Sequence, residues 1–386
     1  MASVIALPRL MRIGAGASGE LAATLESLGL SRPFIVTDRF LEQTGRLAAL
    51  TDGLDAAGVR WAAFSDTVPD PTLASVAAAQ EALGRGDHDC VVGFGGGSPM
   101  DTAKAIAVLA VHGGAMRDYR APHVQDRPGL PVIAVPTTAG TGSEATRFTI
   151  VTDEVTDEKM LCIGLAYLPI AALVDYELTL TMPPRLTADT GIDALTHAIE
   201  AYVSRRANPF ADGMAAAAMR AIAPNLRRVW ADPGDRAARE AMMLGATQAG
   251  VAFSNSSVAL VHGMSRPIGA HFHVPHGLSN AMLLPVVTAY SAPAALTRYA
   301  DCARAMGVAA DGEGDQAAVA RLIDELARLN ADLEVPSPRA YGIDEARWTA
   351  LLPTMAEQAL ASGSPGNNPI VPTPDEIQSL YRQAWA

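Results

Sequence analysis

The chain has 386 residues, 49% of them apolar and 18% charged, a length that suits two domains and a balance that suits a compact globular protein. Its formal net charge of −12 argues against general binding to nucleic acid or to anionic membranes, both of which call for basic patches. Three scattered cysteines without a CxxC pair make no disulfide framework, no secretory signal is read at the start and no apolar run is long enough to span a bilayer, so a soluble cytoplasmic protein is expected.

The first half alternates short apolar runs with Ala/Leu-rich stretches of helical spacing. Phe34–Thr37, Trp61–Phe64, Cys90–Phe94 and Val132–Val135 read as buried strands, and Ser18–Leu28, Leu41–Ala57 and Pro71–Leu83 as helices. This alternation predicts a Rossmann-like α/β domain with a parallel sheet covered on both faces. Between residues 146 and 174 the segments RFTIVTDE, KMLCIG and AALVDYE predict a hairpin and a return to the sheet. After Met182-Pro183-Pro184 the pattern turns helical, over Gly191–Val203, Pro209–Trp230, Ala237–Ser254, Pro293–Met306 and Ala317–Leu329. A proline pair stops regular structure. The expected division is therefore an α/β domain over 1–182 and an all-α domain over 183–386.

Two loops in the first half carry binding chemistry. Gly93-Phe-Gly95-Gly96-Gly97-Ser98-Pro99-Met100-Asp101 follows a strand and opens a helix expected over Thr102–Val111. Glycines let the backbone approach a pyrophosphate, and helix-terminal N–H groups favour its charge. The motif is not GxGxxG, and tight packing alone also explains such a turn. Pro136-Thr137-Thr138-Ala139-Gly140-Thr141-Gly142-Ser143-Glu144 follows the next strand, so both loops should share the carboxyl edge of the sheet, where ligands bind. Asp38 ends the first buried strand. It can accept from the ribose hydroxyls of a nucleotide or cap the next helix, and both readings stay open.

The second half carries a metal constellation. Asp193 and His197 are four residues apart and share a helix face if helical. His262, His271, His273 and His276 lie within one glycine- and proline-punctuated stretch, so these two segments hold five of the eight histidines. A hydrogen-bonded Asp–His pair in a core accounts for the first segment without an ion; the concentration of imidazoles in the second does not fit chance placement. Asp193, His197 and two of the four histidines make a mixed N/O set that suits Fe2+ or Zn2+.

The stretches GGGSPMDTAKA, PTTAGTGSEATRFTIVTDE, MPPRLTADTGIDALTHAIEAYVS and HGMSRPIGAHFHVPHGLSNAMLLP resemble the iron-containing (group III) alcohol dehydrogenase family. The resemblance implies a dehydroquinate synthase-like α/β domain, a helical domain and a cleft between them. It implies metal ligation by Asp193, His197, His262 and His276, and NAD contacts from Asp38, Gly96, Gly97, Ser98, Asp101, Thr137, Thr138, Thr141 and Lys159, with Phe148 and Phe253 walling a substrate pocket. It also implies hydride transfer between NAD(H) and a small primary alcohol or aldehyde (hydroxyaldehydes and semialdehydes included) in a homodimer. His271 and His273 are the candidates for moving the proton. Many relatives carry a histidine where this chain has Arg266, which points toward a polar or anionic substrate; DYEL at Asp175–Leu178 replaces the family's DPEL and reads as structural. The enzyme alternative is an NAD- and metal-dependent lyase or cyclase of the same fold. A nucleotide-binding protein with a vestigial site would have lost ligands, and all four are present.

Overall fold

The computed structural model describes residues 3–386, which gather into two compact units, Val4–Thr181 and Met182–Ala386. Strands of the first unit are β1 (Leu10–Ile13), β2 (Pro33–Val36), β3 (Ala62–Phe64), β4 (Cys90–Gly95), β5 (Val132–Pro136), β6 (Phe148–Asp153), β7 (Glu158–Ile163) and β8 (Ala171–Val174). Six of them form a sheet in the order β1-β8-β5-β4-β2-β3, every pair parallel, while β6 and β7 pair antiparallel as a separate hairpin. β2, β4, β5 and β8 are buried at every residue. Helices cover both sheet faces, so these strands read as continuous apolar runs rather than alternating ones.

The helices of this unit are α1 (Leu21–Leu28), α2 (Arg39–Gln43), α3 (Arg46–Ala56), α4 (Leu73–Leu83) and α5 (Gly97–His112). Successive strand residues serve opposite faces. Phe34, Val36 and Val91 pack with Val76 and Ala79 of α4 and Ile106 of α5. Ile35, Val92 and Phe94 pack with Leu25 of α1 and Leu50 and Leu54 of α3.

Three features differ from the sequence expectation, each for a local reason. β1 lies at the sheet edge, is only partly buried and ends on an exposed Ile13, so it lacks the apolar signature of an inner strand. The helix expected over Leu41–Ala57 is two helices, because Gly45 sits at φ 76 between them. The helix expected from Thr102 begins at Gly97 instead. Pro99 lies in its first turn, where a missing N–H costs nothing.

The second unit contains α6 (Pro184–Val203), α7 (Pro209–Ile222), α8 (Leu226–Ala231), α9 (Arg236–Asn255), α10 (Leu260–Phe272), α11 (His276–Ser291), α12 (Leu296–Ala305), α13 (Asp315–Asp332), α14 (Pro338–Tyr341), α15 (Glu345–Ala361) and α16 (Pro374–Gln383). The helix expected over Pro209–Trp230 breaks at Pro224, giving α7 and α8. The alanines of α7 permit close packing on α9: a Cβ on Gly245 would meet Ile222 Cγ1 at 2.7 Å. No helix among the described residues is long and apolar enough to cross a membrane. Cys90, Cys162 and Cys302 are buried and unbridged.

Gly95 has φ +152, and a Cβ there would sit 2.5 Å from Pro99 Cγ. Gly95→Ala is expected to destabilise the protein by about 1–3 kcal/mol through backbone strain and crowding, read as a lower denaturant midpoint.

Candidate metal centre and nucleotide loops

In the second unit, α6 presents Asp193, His197 and Glu200 at helical spacing; the first two lie four residues apart and Glu200 seven after Asp193. α10 carries His262. His273 then ends that helix in the left-handed conformation, at φ 54, and the chain turns so that His276 opens α11. α6 and α11 approach so closely that a Cβ on Gly277 would lie 2.3 Å from the Asp189 carbonyl oxygen. That contact seats His276 beside the ligand face of α6.

The four side chains converge. One potential ligand atom from each of Asp193, His197, His262 and His276 lies within 4.8 Å of all the others. Asp193 Oδ1 is 3.4 Å from His262 Nε2, 3.7 Å from His276 Nε2 and 3.9 Å from His197 Nε2. Ligands held about 2.1 Å from one ion in a tetrahedron are about 3.4 Å apart, so the spacing fits a shared divalent cation. Asp193, His197 and His262 are buried, while the His276 side chain is 34% exposed and marks the open side.

Glu200 supports this cluster. Its carboxylate accepts from the backbone N–H groups of Ala259 (2.9 Å) and Val261 (2.6 Å) and from His262 Nδ1 (2.6 Å). An ionised carboxylate only accepts, so Nδ1 of His262 carries the proton and donates, and Nε2 is directed toward Asp193. Burial opposes a charge on His262, but the Glu200 and Asp193 carboxylates outweigh it and hold the imidazole pKa up at about 9. Burial likewise pushes Asp193 up, yet the imidazoles of His197, His276 and His262 hold its carboxyl well below the usual carboxylate range. A cluster with two buried carboxylates calls for positive charge at its centre. Asn280, four residues after His276 and fully buried, donates from Nδ2 to Asp193 Oδ1 at 2.7 Å and lies 3.1 Å from His262 Nε2. Phe253 of α9 stacks on His197, ring centroids 4.2 Å apart.

The remaining histidines of the dense stretch lie outside the quartet. His271 Nε2 is 2.8 Å from Gln358 Oε1 of α15, and His273 is exposed.

In the first unit, the two loops face one another. A Cβ on Gly97 would meet Thr141 Cγ2 at 3.1 Å and one on Gly96 would meet Thr138 Cγ2 at 3.5 Å. Gly96 caps α5 without a side-chain hydrogen bond, and no acidic residue sits in its first turn, so the helix-terminal N–H groups are not spent on a carboxylate. Thr138 Oγ1 is buried without a partner among the described residues, a hydroxyl that a ligand could satisfy. Thr137 is also buried.

Other expected nucleotide residues are engaged within the unit. Asp38 caps α2, accepting from Leu41 N–H at 2.9 Å, so the capping alternative describes one of its oxygens. Ser98 Oγ accepts from Asp70 N–H, and Lys159 pairs with the Asp70 carboxylate at 2.9 Å. Asp101 accepts from Ser143 Oγ at 2.8 Å and Ile150 N–H at 2.9 Å.

Beneath these loops lies Lys104, buried and unremarked from sequence. Its ammonium donates to Ser143 Oγ (2.7 Å), Thr146 Oγ1 (3.1 Å) and the carbonyls of Thr146 (3.2 Å) and Phe148 (2.9 Å). Burial pulls its pKa down to about 8, against the charges of Asp101 and Glu144. Glu200 and Asn280 lie at helical spacing from Asp193 and His276, a signal too common to single them out by itself; Lys104 and Asp70 lack even that, since their partners are distant in sequence. Lys104→Met removes the one cation that joins these four oxygens, and is expected to cost about 2–4 kcal/mol of stability in chemical denaturation.

Comparison with known proteins matches both units to one family. Residues 8–176 match the family model described as iron-containing alcohol dehydrogenase, and residues 187–385 the one described as Fe-containing alcohol dehydrogenase family, C-terminal. The lactaldehyde reductase of Escherichia coli (strain K12) is 37% identical over 388 residues, covering 100% of both chains. A solved 1,3-propanediol oxidoreductase superposes with a TM-score of 0.95 at 35% identity, covering 100% of each chain. A sulfoacetaldehyde reductase from Bifidobacterium kashiwanohense, solved in complex with NAD+, gives 0.89 at 29% identity, covering 100% of this chain and 99% of that one.

Proposed function

Because the chain belongs to the iron-containing alcohol dehydrogenase family, we propose that it exchanges hydride between NAD(H) and a small primary alcohol or aldehyde, with Fe2+ (or Zn2+) held by Asp193, His197, His262 and His276. The observation that carries this reading is the convergence of three imidazole nitrogens and one carboxylate oxygen at a buried point. The bound groups supply Lewis acidity toward the substrate oxygen and hydride exchange at the nicotinamide.

The chain's own residues have the following parts. Glu200 keeps His262 in the tautomer and orientation that leave Nε2 free. Phe253 stacks on His197 and limits its rotation. Gly96, Gly97 and Ser98 at the start of α5 receive the cofactor's pyrophosphate, with Thr137, Thr138 and Thr141 facing them. Asp38 offers its second carboxylate oxygen to a ribose hydroxyl, which favours NAD over NADP. Asp101 orders the threonine loop on the nicotinamide side through its bonds to Ser143 and Ile150, and Lys159, paired with Asp70, flanks that side. His273, exposed beside the metal helices, is the better placed candidate for proton exchange with water, since His271 is turned to Gln358.

Relatives named for lactaldehyde and 1,3-propanediol support a short, oxygen-bearing substrate, and a neighbour solved with NAD+ supports that cofactor. The lyase alternative gains nothing from relatives named as reductases and dehydrogenases. Buried, unbridged cysteines fit a reducing cytoplasm, and a homodimer completes the proposal.

Protein purified without oxygen should contain about one iron per chain by elemental analysis and reduce NAD, in preference to NADP, with a panel of short alcohols. His262→Ala should lose both the iron and NADH formation; retention of both would overturn the assignment. Glu200→Ala should weaken iron binding by about 10–100-fold, read by competition with a chelator.

A further inference from the structure

Arg266 follows His262 by four residues on α10, so the two side chains leave the same face one turn apart. It is half-buried, and no hydrogen bond or ion pair engages its guanidinium among the described residues. Other arginines drawn into this unit have at least one partner each, although Nη2 of Arg239 is left without one. Arg239 donates to the Pro233 carbonyl and to Thr187 Oγ1, and Arg298 donates to the Tyr202 carbonyl and pairs with Asp212.

The nearest charge that acts on Arg266 is Glu200, whose carboxylate is already spent on Ala259 N–H, Val261 N–H and His262 Nδ1. Burial lowers the guanidinium pKa to about 10, which still leaves it cationic at neutral pH. A half-buried, five-donor cation whose one acting carboxylate is spent on other donors is left able to pair with an anion from outside the chain. Its planar fork matches a carboxylate or another oxyanion in two-point contact.

We propose that Arg266 is the anion-binding residue of the substrate site, and that the substrate is a short aldehyde or alcohol bearing a carboxylate or similar oxyanion. This inference rests on the oxidoreductase assignment above. One helical turn separates the Cα atoms of His262 and Arg266 by about 6 Å. The reacting oxygen and the anionic group are therefore a few bonds apart, as in a four-carbon semialdehyde.

The test compares butanal with 4-oxobutanoate, which have the same chain length and differ in the carboxylate, as substrates of the iron-loaded enzyme with NADH. The wild type should favour 4-oxobutanoate in kcat/KM by on the order of 100-fold. In Arg266→Gln that ratio should fall toward one, chiefly through KM, and Arg266→Lys should restore part of it. Succinate, which cannot be reduced, should bind the wild type in calorimetry and bind Arg266→Gln far more weakly.

If neither aldehyde is turned over, the oxidoreductase assignment falls. If butanal is reduced as well as 4-oxobutanoate, or the preference persists in Arg266→Gln, the role of Arg266 falls and the assignment stands. Should Arg266→Gln not fold, the wild-type preference and succinate binding still decide: absence of both overturns the proposal.

Discussion

The helical unit depends on one buried carboxylate. Glu200 is 3% exposed, and an isolated charge so deep costs several kcal/mol. Three donors offset that cost: two N–H groups at the start of α10 and the Nδ1–H of His262. The N–H groups at a helix start have no partner inside the helix, so the carboxylate meets a need that α10 would have anyway. The same bonds join α6 to α10 and set the direction of an imidazole. Because Asp193, His197 and Glu200 share one face of α6, any shift of that helix would move two potential ligands and the support of a third together.

The α/β unit uses a cation in the corresponding role. Lys104 lies on α5 behind the glycine turn and gathers Ser143, Thr146 and Phe148, residues about forty positions later. Ser143 Oγ–H donates in turn to Asp101, so α5, the threonine loop and β6 are tied by one chain of bonds. Such a network is rigid when complete and expensive when one member is removed. It keeps Gly96 and Gly97 opposite Thr138 and Thr141 while both loops stay small enough for a ligand to approach.

Much of this was legible beforehand, and the misses have plain causes. Buried strands such as Cys90–Gly95 announce themselves by continuous apolar runs, whereas β1 at the sheet edge does not. Asp193 and His197 stand out because a spacing of four in an apolar helix is conspicuous. Glu200 and Asn280 share the same faces, but glutamate and asparagine have so many solvated roles that spacing alone does not single them out. Asp38 was ambiguous between cap and ribose acceptor; its bond to Leu41 N–H is visible only in three dimensions.

The order and type of most elements, and the candidate residues for a cation and a pyrophosphate, were legible in the sequence alone, because periodicity and turn chemistry act over a few residues. Which of five imidazoles meet, which carboxylate stands behind them, and which charged groups are already paired were decided by tertiary structure. Those outcomes join positions such as Glu200 with His262 and Lys104 with Phe148, separated by tens of residues, and only the packing of helices and strands brings them within bonding distance.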